Sequence, residues 1–155
     1  MKLSPRWRKA LLTLHIATAV GWLGADLVLL TFGIAGLRGA DPALVYPAAE
    51  LVGRYVFAPL SLAVLLIGVF SALLSPWRLL RHWWVVTKLG IVTAMVILVF
   101  VLLLPGLDQA GGLGPALPER DRINLVVAPS VSSTLLLIAT VLSTYKPWGR
   151  VRRAR

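Results

Sequence analysis

Cysteine is absent from this chain, which excludes disulfides, thiolate metal sites, thiol nucleophiles and iron–sulfur clusters together. Histidine is nearly absent, with only His15 and His82, and Met95 is the sole methionine after the first residue. Six scattered acids complete a donor set too thin for a closed metal cage. Charge is scarce as well, at 14% of residues against about 25% in an average globular domain. What fills the space is apolar: 58% of the 155 residues, with a mean hydropathy of +0.84. That length is one domain, and it carries more apolar surface than one small soluble core hides.

Four long apolar runs divide the chain, at about 10–37, 55–74, 83–104 and 123–144. A bilayer core takes about 20 helical residues, and backbone polar groups in lipid must be satisfied within the segment. The expectation is therefore an all-α bundle of four transmembrane helices forming a single integral membrane domain. Ala17-Thr18-Ala19 superficially fits a signal-peptide cleavage site. The run stays apolar far beyond it, however, so it reads as an uncleaved anchor.

Charge sets the expected orientation. With the N-terminus, the 75–83 turn and the tail on one side, that side and Lys88 just inside it hold 12 of the 16 basic residues. Arg38, Arg54, Arg120 and Arg122 fall on the other side, as do all six acids. Excess Lys and Arg marks the cytoplasmic face, and the expectation is an N-in/C-in topology in a bacterial plasma membrane. Trp7, Trp77, Trp83, Trp84 and Trp148 cluster at the predicted inner boundary, and Tyr46 and Tyr55 mark the outer one. The net charge of +10 reads as topology plus attraction to anionic inner-leaflet lipid. A nucleic-acid role is not indicated, because the basic tail lacks stacking aromatics and a binding fold.

The connections carry further expectations. Spans two and three are antiparallel neighbours across a short turn, which Pro76 opens. Asp41-Pro42 has the form of a cap and first helical position in the first outer loop, before Pro47. The second outer loop, from Pro105 to Arg122, carries four glycines and three prolines and is expected to be irregular. No internal repeat is evident.

Three ionisable residues fall within spans: His15 and Asp26 in the first and Lys88 in the third. Such residues are costly in lipid and are functional candidates by default. His15, Thr18, Trp22 and Asp26 share one helix face, expected to point into the bundle, and Ala17, Gly21 and Ala25 form a small-residue stripe beside it. At a rise of about 1.5 Å per residue, His15 lies roughly 8 Å and Lys88 roughly 6 Å inside the inner edge, with Asp26 about 16 Å beyond His15. Two polar layers follow. The inner one holds His15, Lys88, Ser71, Thr87, Thr140 and Ser143, with His82 at the surface above. In the outer one Arg54, Arg122 and the Ser130, Ser132, Ser133, Thr134 cluster after Pro129 are candidates to meet Asp26. Bland readings stand beside these: Lys88 snorkels to headgroups, Asp26 is a hydrogen-bonded or ion-paired structural acid, His15 bonds a nearby hydroxyl, and Pro129 is a tolerated kink.

Leu14-His15 followed by Gly21-Trp22-Leu23-Gly24 resembles the first span of a superfamily that includes HemJ-type protoporphyrinogen oxidases and CopD-type copper-resistance proteins. Trp84 followed by Lys88-Leu89 resembles an element opening a later HemJ span. Over nearly the whole chain the sequence resembles an uncharacterised family of small bacterial integral membrane proteins, a domain of unknown function. That likeness rests on Leu14 to Ala25, Trp77 to Leu89 and Ala139 to Arg150. The HemJ resemblance implies a b-type haem or porphyrin in the bundle, with His15 as axial ligand to the iron, Trp22 packed on the macrocycle and Lys88 near its propionates or the substrate. HemJ proteins carry further histidines, whereas here a second axial histidine would require His82 to reach inward. Copper is not supported, because soft ligands are missing.

Three functions follow from different classes. One is an accessory or cofactor-carrying membrane bundle with no catalytic constellation, working with a membrane partner or as a homo-oligomer. The second is a tetrapyrrole-binding oxidoreductase centred on His15, Trp22 and Lys88. The third is a small proton-coupled transporter titrating Asp26; the charge asymmetry argues against the dual-topology form of such exporters.

Overall fold

The computed structural model describes residues 4–74 and 83–145. Pro5 opens the first helix, α1 (Pro5–Leu37), where a missing N–H costs nothing. The helix stops through a Schellman motif. Gly39 takes φ of +92°, the Ala40 N–H donates to the Ala35 carbonyl at 3.0 Å, and the Gly39 N–H points to Gly36 at 3.4 Å. The chain turns at once into α2 (Pro42–Val52), whose cap is Asp41, its carboxylate accepting from the Ala43 N–H at 3.0 Å. Here the expected cap and first position are found where the sequence places them.

From α2 a π-helical turn at Gly53–Phe57 leads into α3 (Ala58–Leu73). After the 75–82 segment come α4 (Trp83–Leu98), a second π-helical turn at Val99–Leu103 and α5 (Leu104–Leu113). A 3-10 turn at Gly114–Ala116 leads to α6 (Glu119–Tyr145). The two π turns share a cause. Each ends just before an X-Pro pair, Ala58-Pro59 and Leu104-Pro105, and proline can neither donate to the carbonyl four residues back nor fit beside it. The wider turn moves the bond to i+5, from Ala58 N–H to Gly53 and from Leu104 N–H to Val99.

Four continuous helical paths are long and apolar enough to cross a membrane: Pro5–Leu37, Pro42–Leu73, Trp83–Ala116 and Glu119–Tyr145. Among the described residues there is no strand. These paths outrun the predicted spans, and the expected irregular loop between Pro105 and Arg122 is instead mostly helix. Its prolines stand at helix starts, and Gly114, at φ of +49°, supplies the reversal. The extensions α2 and α5 then pack on each other beyond the main bundle. The Pro76 turn, His82, Trp77 and Trp148 lie outside the described residues.

Helix α1 packs on α3 and α6, and α4 packs on the same two, so α1 and α4 sit across the bundle diagonal. The α1–α6 contact has a specific seat. Pro129 lies inside α6 and cannot donate to the Leu125 carbonyl. That oxygen faces Gly33 of α1, where a Cβ would collide with it. The glycine therefore admits the neighbouring backbone at a distance that any other residue would prevent. Gly36 does the same for the Tyr46 ring, which a Cβ would meet at 2.6 Å. Tyr46 is only 1% exposed, so it is a core residue and not the boundary aromatic its position predicts, while Tyr55 stays exposed. Leu14, Ile16, Val20 and Leu27 on the opposite side of α1 are exposed, as lipid-facing residues are.

Gly33→Ala is expected to cost about 1–3 kcal/mol, the range for overpacking a tight contact, measured by unfolding in detergent. Gly24→Ala, with nothing within 4 Å of its Cβ, is expected to stay within about 0.5 kcal/mol of wild type. Equal losses in the two variants would contradict the seat.

Candidate functional site

The inward face of α1 is the one its spacing predicts. Trp22 and Asp26 are both 0% exposed, and His15 and Thr18 are half-buried. Thr18 turns its hydroxyl back to the carbonyls of Leu14 at 2.9 Å and His15 at 3.1 Å, so it serves its own helix. Of the small-residue stripe, Ala25 is buried and Gly21 lies against Leu60, while Ala17 is exposed.

Around Asp26 the outer polar layer forms, in part as expected. Ser133 of α6 donates to Asp26 Oδ2 at 2.8 Å. Ser132 lies beside the same carboxyl, yet its Oγ and Asp26 Oδ1 are both buried without a hydrogen-bond partner. Ser130 and Thr134 spend their hydroxyls on the carbonyls of Val126 and Ser130 within α6. The Trp22 ring packs on Phe57 of the first π turn, with centroids 5.8 Å apart and planes tilted by 55°, and its Nε1 has no partner. Ser61, also 0% exposed, donates to Ala58 at 2.7 Å.

The two arginines proposed for Asp26 go elsewhere. Arg54 reaches outward from its π turn to Asp108 of α5 at 2.6 Å and to Glu50 at 3.4 Å. Arg122 donates to the carbonyls of Leu117 at 2.9 Å and Pro115 at 2.7 Å, fastening the turn before α6. Asp26 consequently has no cationic partner among the described residues. The Glu50–Arg54–Asp108 cluster, which sequence reasoning missed, clips α2 and its π turn to α5. Glu50 and Arg54 stand four residues apart, a legible signal, but the approach of Asp108 depends on the helical form of a segment read as loop.

At the other end of the bundle, His15, Lys88 and Ser143 form the expected inner layer. Lys88 Nζ donates to Ser143 Oγ at 2.6 Å, so its amine reaches across to α6, two residues from the end of that helix. His15 lies within electrostatic range of Lys88. Its imidazole seats on Gly68 of α3, where a Cβ would stand 3.0 Å from Cε1. Nδ1 of His15 and the hydroxyl of Ser71, one turn further along α3, are both buried without a partner. Thr140 is spent on the Leu136 carbonyl.

The haem arrangement implied by the HemJ resemblance needs His15, Trp22 and Lys88 around one space. Here His15 and Lys88 share a layer, while Trp22 lies seven residues further along α1, roughly 10 Å away, with Phe57 packed on its ring. A macrocycle held by His15 and stacked on Trp22 does not fit this packing, although His15 keeps a ring nitrogen free of protein partners. Among the described residues no group of three or more His, Asp or Glu side chains is placed to hold a metal ion. What this arrangement offers chemically is one half-satisfied acid and one cluster of donors, at separate levels of the same bundle. No protein-family model, curated protein or solved structure matches the chain.

Proposed function

We propose that this is a multi-pass membrane protein, with both termini on the cytoplasmic side, that works by reversible protonation of Asp26 inside the bundle. One observation carries the reading. A carboxyl with no exposed surface has one oxygen held by Ser133, the other unpartnered, and no cation beside it among the described residues. An acid at membrane depth is expensive and is retained where it acts. The two serines suit either protonation state. A hydroxyl is donor or acceptor as it rotates, so Ser133 and Ser132 can both donate to a carboxylate. If the proton sits on Oδ1, Ser132 Oγ can accept it while Ser133 still donates to Oδ2. The hydrogen bonds at the carboxyl then adjust to either protonation state by hydroxyl rotation alone.

This is the proton-coupled reading of the chain, set above the tetrapyrrole one because Trp22 is fully buried with Phe57 packed on its ring. What is moved or sensed with the proton depends on partners or substrates outside this chain. The cytoplasmic placement of the termini is supported by the 12-to-4 division of basic residues. A reporter fused after Arg155 is expected to read cytoplasmic, and an external reading would reverse the orientation.

The direct test of the Asp26 reading is infrared difference spectroscopy of the protein in lipid as pH is varied. A carboxyl C=O band that appears and disappears with pH, and is missing from Asp26→Asn, is the expected result. A band constant at every pH would make Asp26 a fixed hydrogen-bonding residue and overturn the proposal.

A further inference from the structure

Among the described residues, the layer at the His15 end holds a cation and groups able to donate, and no acid. Lys88 is half-buried, and the partner of its ammonium is the neutral hydroxyl of Ser143. Ser71 contributes a buried hydroxyl with no partner, and His15 a buried Nδ1 with none. All six acids of the sequence lie elsewhere: Asp26 is about 16 Å further along α1, and Asp41, Glu50, Asp108, Glu119 and Asp121 belong to the far end. An ammonium drawn partly out of water without a counter-charge loses hydration that a single hydroxyl restores only in part.

We propose that this layer binds a phosphate-type oxyanion, with Lys88 supplying the charge and Ser143, Ser71 and His15 the surrounding hydrogen bonds. The four groups come from four different helices: Lys88 of α4 donates to Ser143 of α6, His15 of α1 lies within electrostatic range of Lys88, and Ser71 stands one turn along α3 from Gly68, on which the His15 ring rests. A planar carboxylate is served by two neighbouring donors, whereas the tetrahedral oxygens of a phosphate take donors arriving from several directions. Lysine acts on phosphate as a point charge and needs no fixed planar geometry. Serine hydroxyls turn to donate, and His15 donates in the tautomer that carries the proton on Nδ1. The depth suits the chemistry, since Lys88 lies only five residues from the start of α4, about 8 Å along the axis. A headgroup phosphate in the adjacent leaflet comes within that reach, and free phosphate reaches the same position from the aqueous phase. With an oxyanion in place, Lys88 and Ser143 act as one clamp joining α4 to α6.

The test uses the full chain, delipidated in a neutral detergent, and follows thermal unfolding as inorganic phosphate or phosphatidylglycerol is titrated in at constant ionic strength. Phosphatidylcholine and chloride serve as controls. Saturable stabilisation of the wild-type protein is expected. Lys88→Gln should weaken the apparent affinity at least about tenfold, as removing the charge from a buried ion pair does. Ser143→Ala, which keeps the lysine, should lose a smaller part, so the outcome does not depend on one variant folding. Lys9→Gln, at an exposed position near the start of α1, should leave the affinity unchanged. Stabilisation by inorganic phosphate identifies a free oxyanion as the ligand, and stabilisation by phosphatidylglycerol alone identifies a lipid headgroup. No saturable response to either, or equal responses in wild type and Lys88→Gln, would overturn the proposal.

Discussion

The arrangement depends on how closely α1 approaches α6. Pro129 leaves the Leu125 carbonyl without its helical donor, and Gly33 lets that oxygen settle against the backbone of α1. Two turns along the same seam, Ser133 reaches Asp26. The order of causes matters. Side chains in lipid gain little by leaving one apolar surface for another, so helices associate through close packing and polar contacts. A glycine notch facing a freed carbonyl supplies the first, and a buried carboxyl with its serine supplies the second. With α1 held in this way, its remaining inward residues have fixed places: Trp22 against Phe57, and His15 against Gly68.

The outer part of the bundle is built on prolines that bend helices without ending them. Pro59 and Pro105 each follow a π turn, and beyond those turns α2 and α5 pack together. Gly53, the first residue of one π turn, takes the side chain of Leu107 where a Cβ would collide with it. Arg54 then bridges Glu50 and Asp108 across the same junction. These contacts join α2 to α5 at the far end of the bundle, while Asp26, eleven residues from the end of α1, is fully buried against α6. Irregular backbone of this kind recurs at functional sites in helices, and here it borders the buried acid.

Much of this was legible in the residues. Length and hydropathy suffice for four spans, because lipid admits so few backbone solutions. The inward face of α1 follows from a period of 3.6 residues, and Asp41-Pro42 follows from cap chemistry. Other features depended on tertiary placement. Glycine and proline between Pro105 and Arg122 read as loop, yet each stands where a helix start, a π turn or a reversal tolerates it. Arg54 and Arg122 were expected at Asp26 because residue spacing fixes depth along the axis and not direction around it. Both arginines face away, one to acids on α2 and α5, the other to backbone carbonyls before α6. Lys88 is the converse case: spacing gives its depth, and only the placement of α6 shows that Ser143 is the group its amine meets.

The absence of cysteine allows the central contact to be tested in native membranes with no background. Asp26→Cys combined with Ser133→Cys should bridge on oxidation or with a short bifunctional reagent, because these side chains meet across the α1–α6 seam. Asp26→Cys combined with Val131→Cys, the latter exposed on the opposite face of α6, should not bridge. Efficient bridging of the first pair alone is the result this packing predicts. Bridging of the second pair in preference to the first would contradict it.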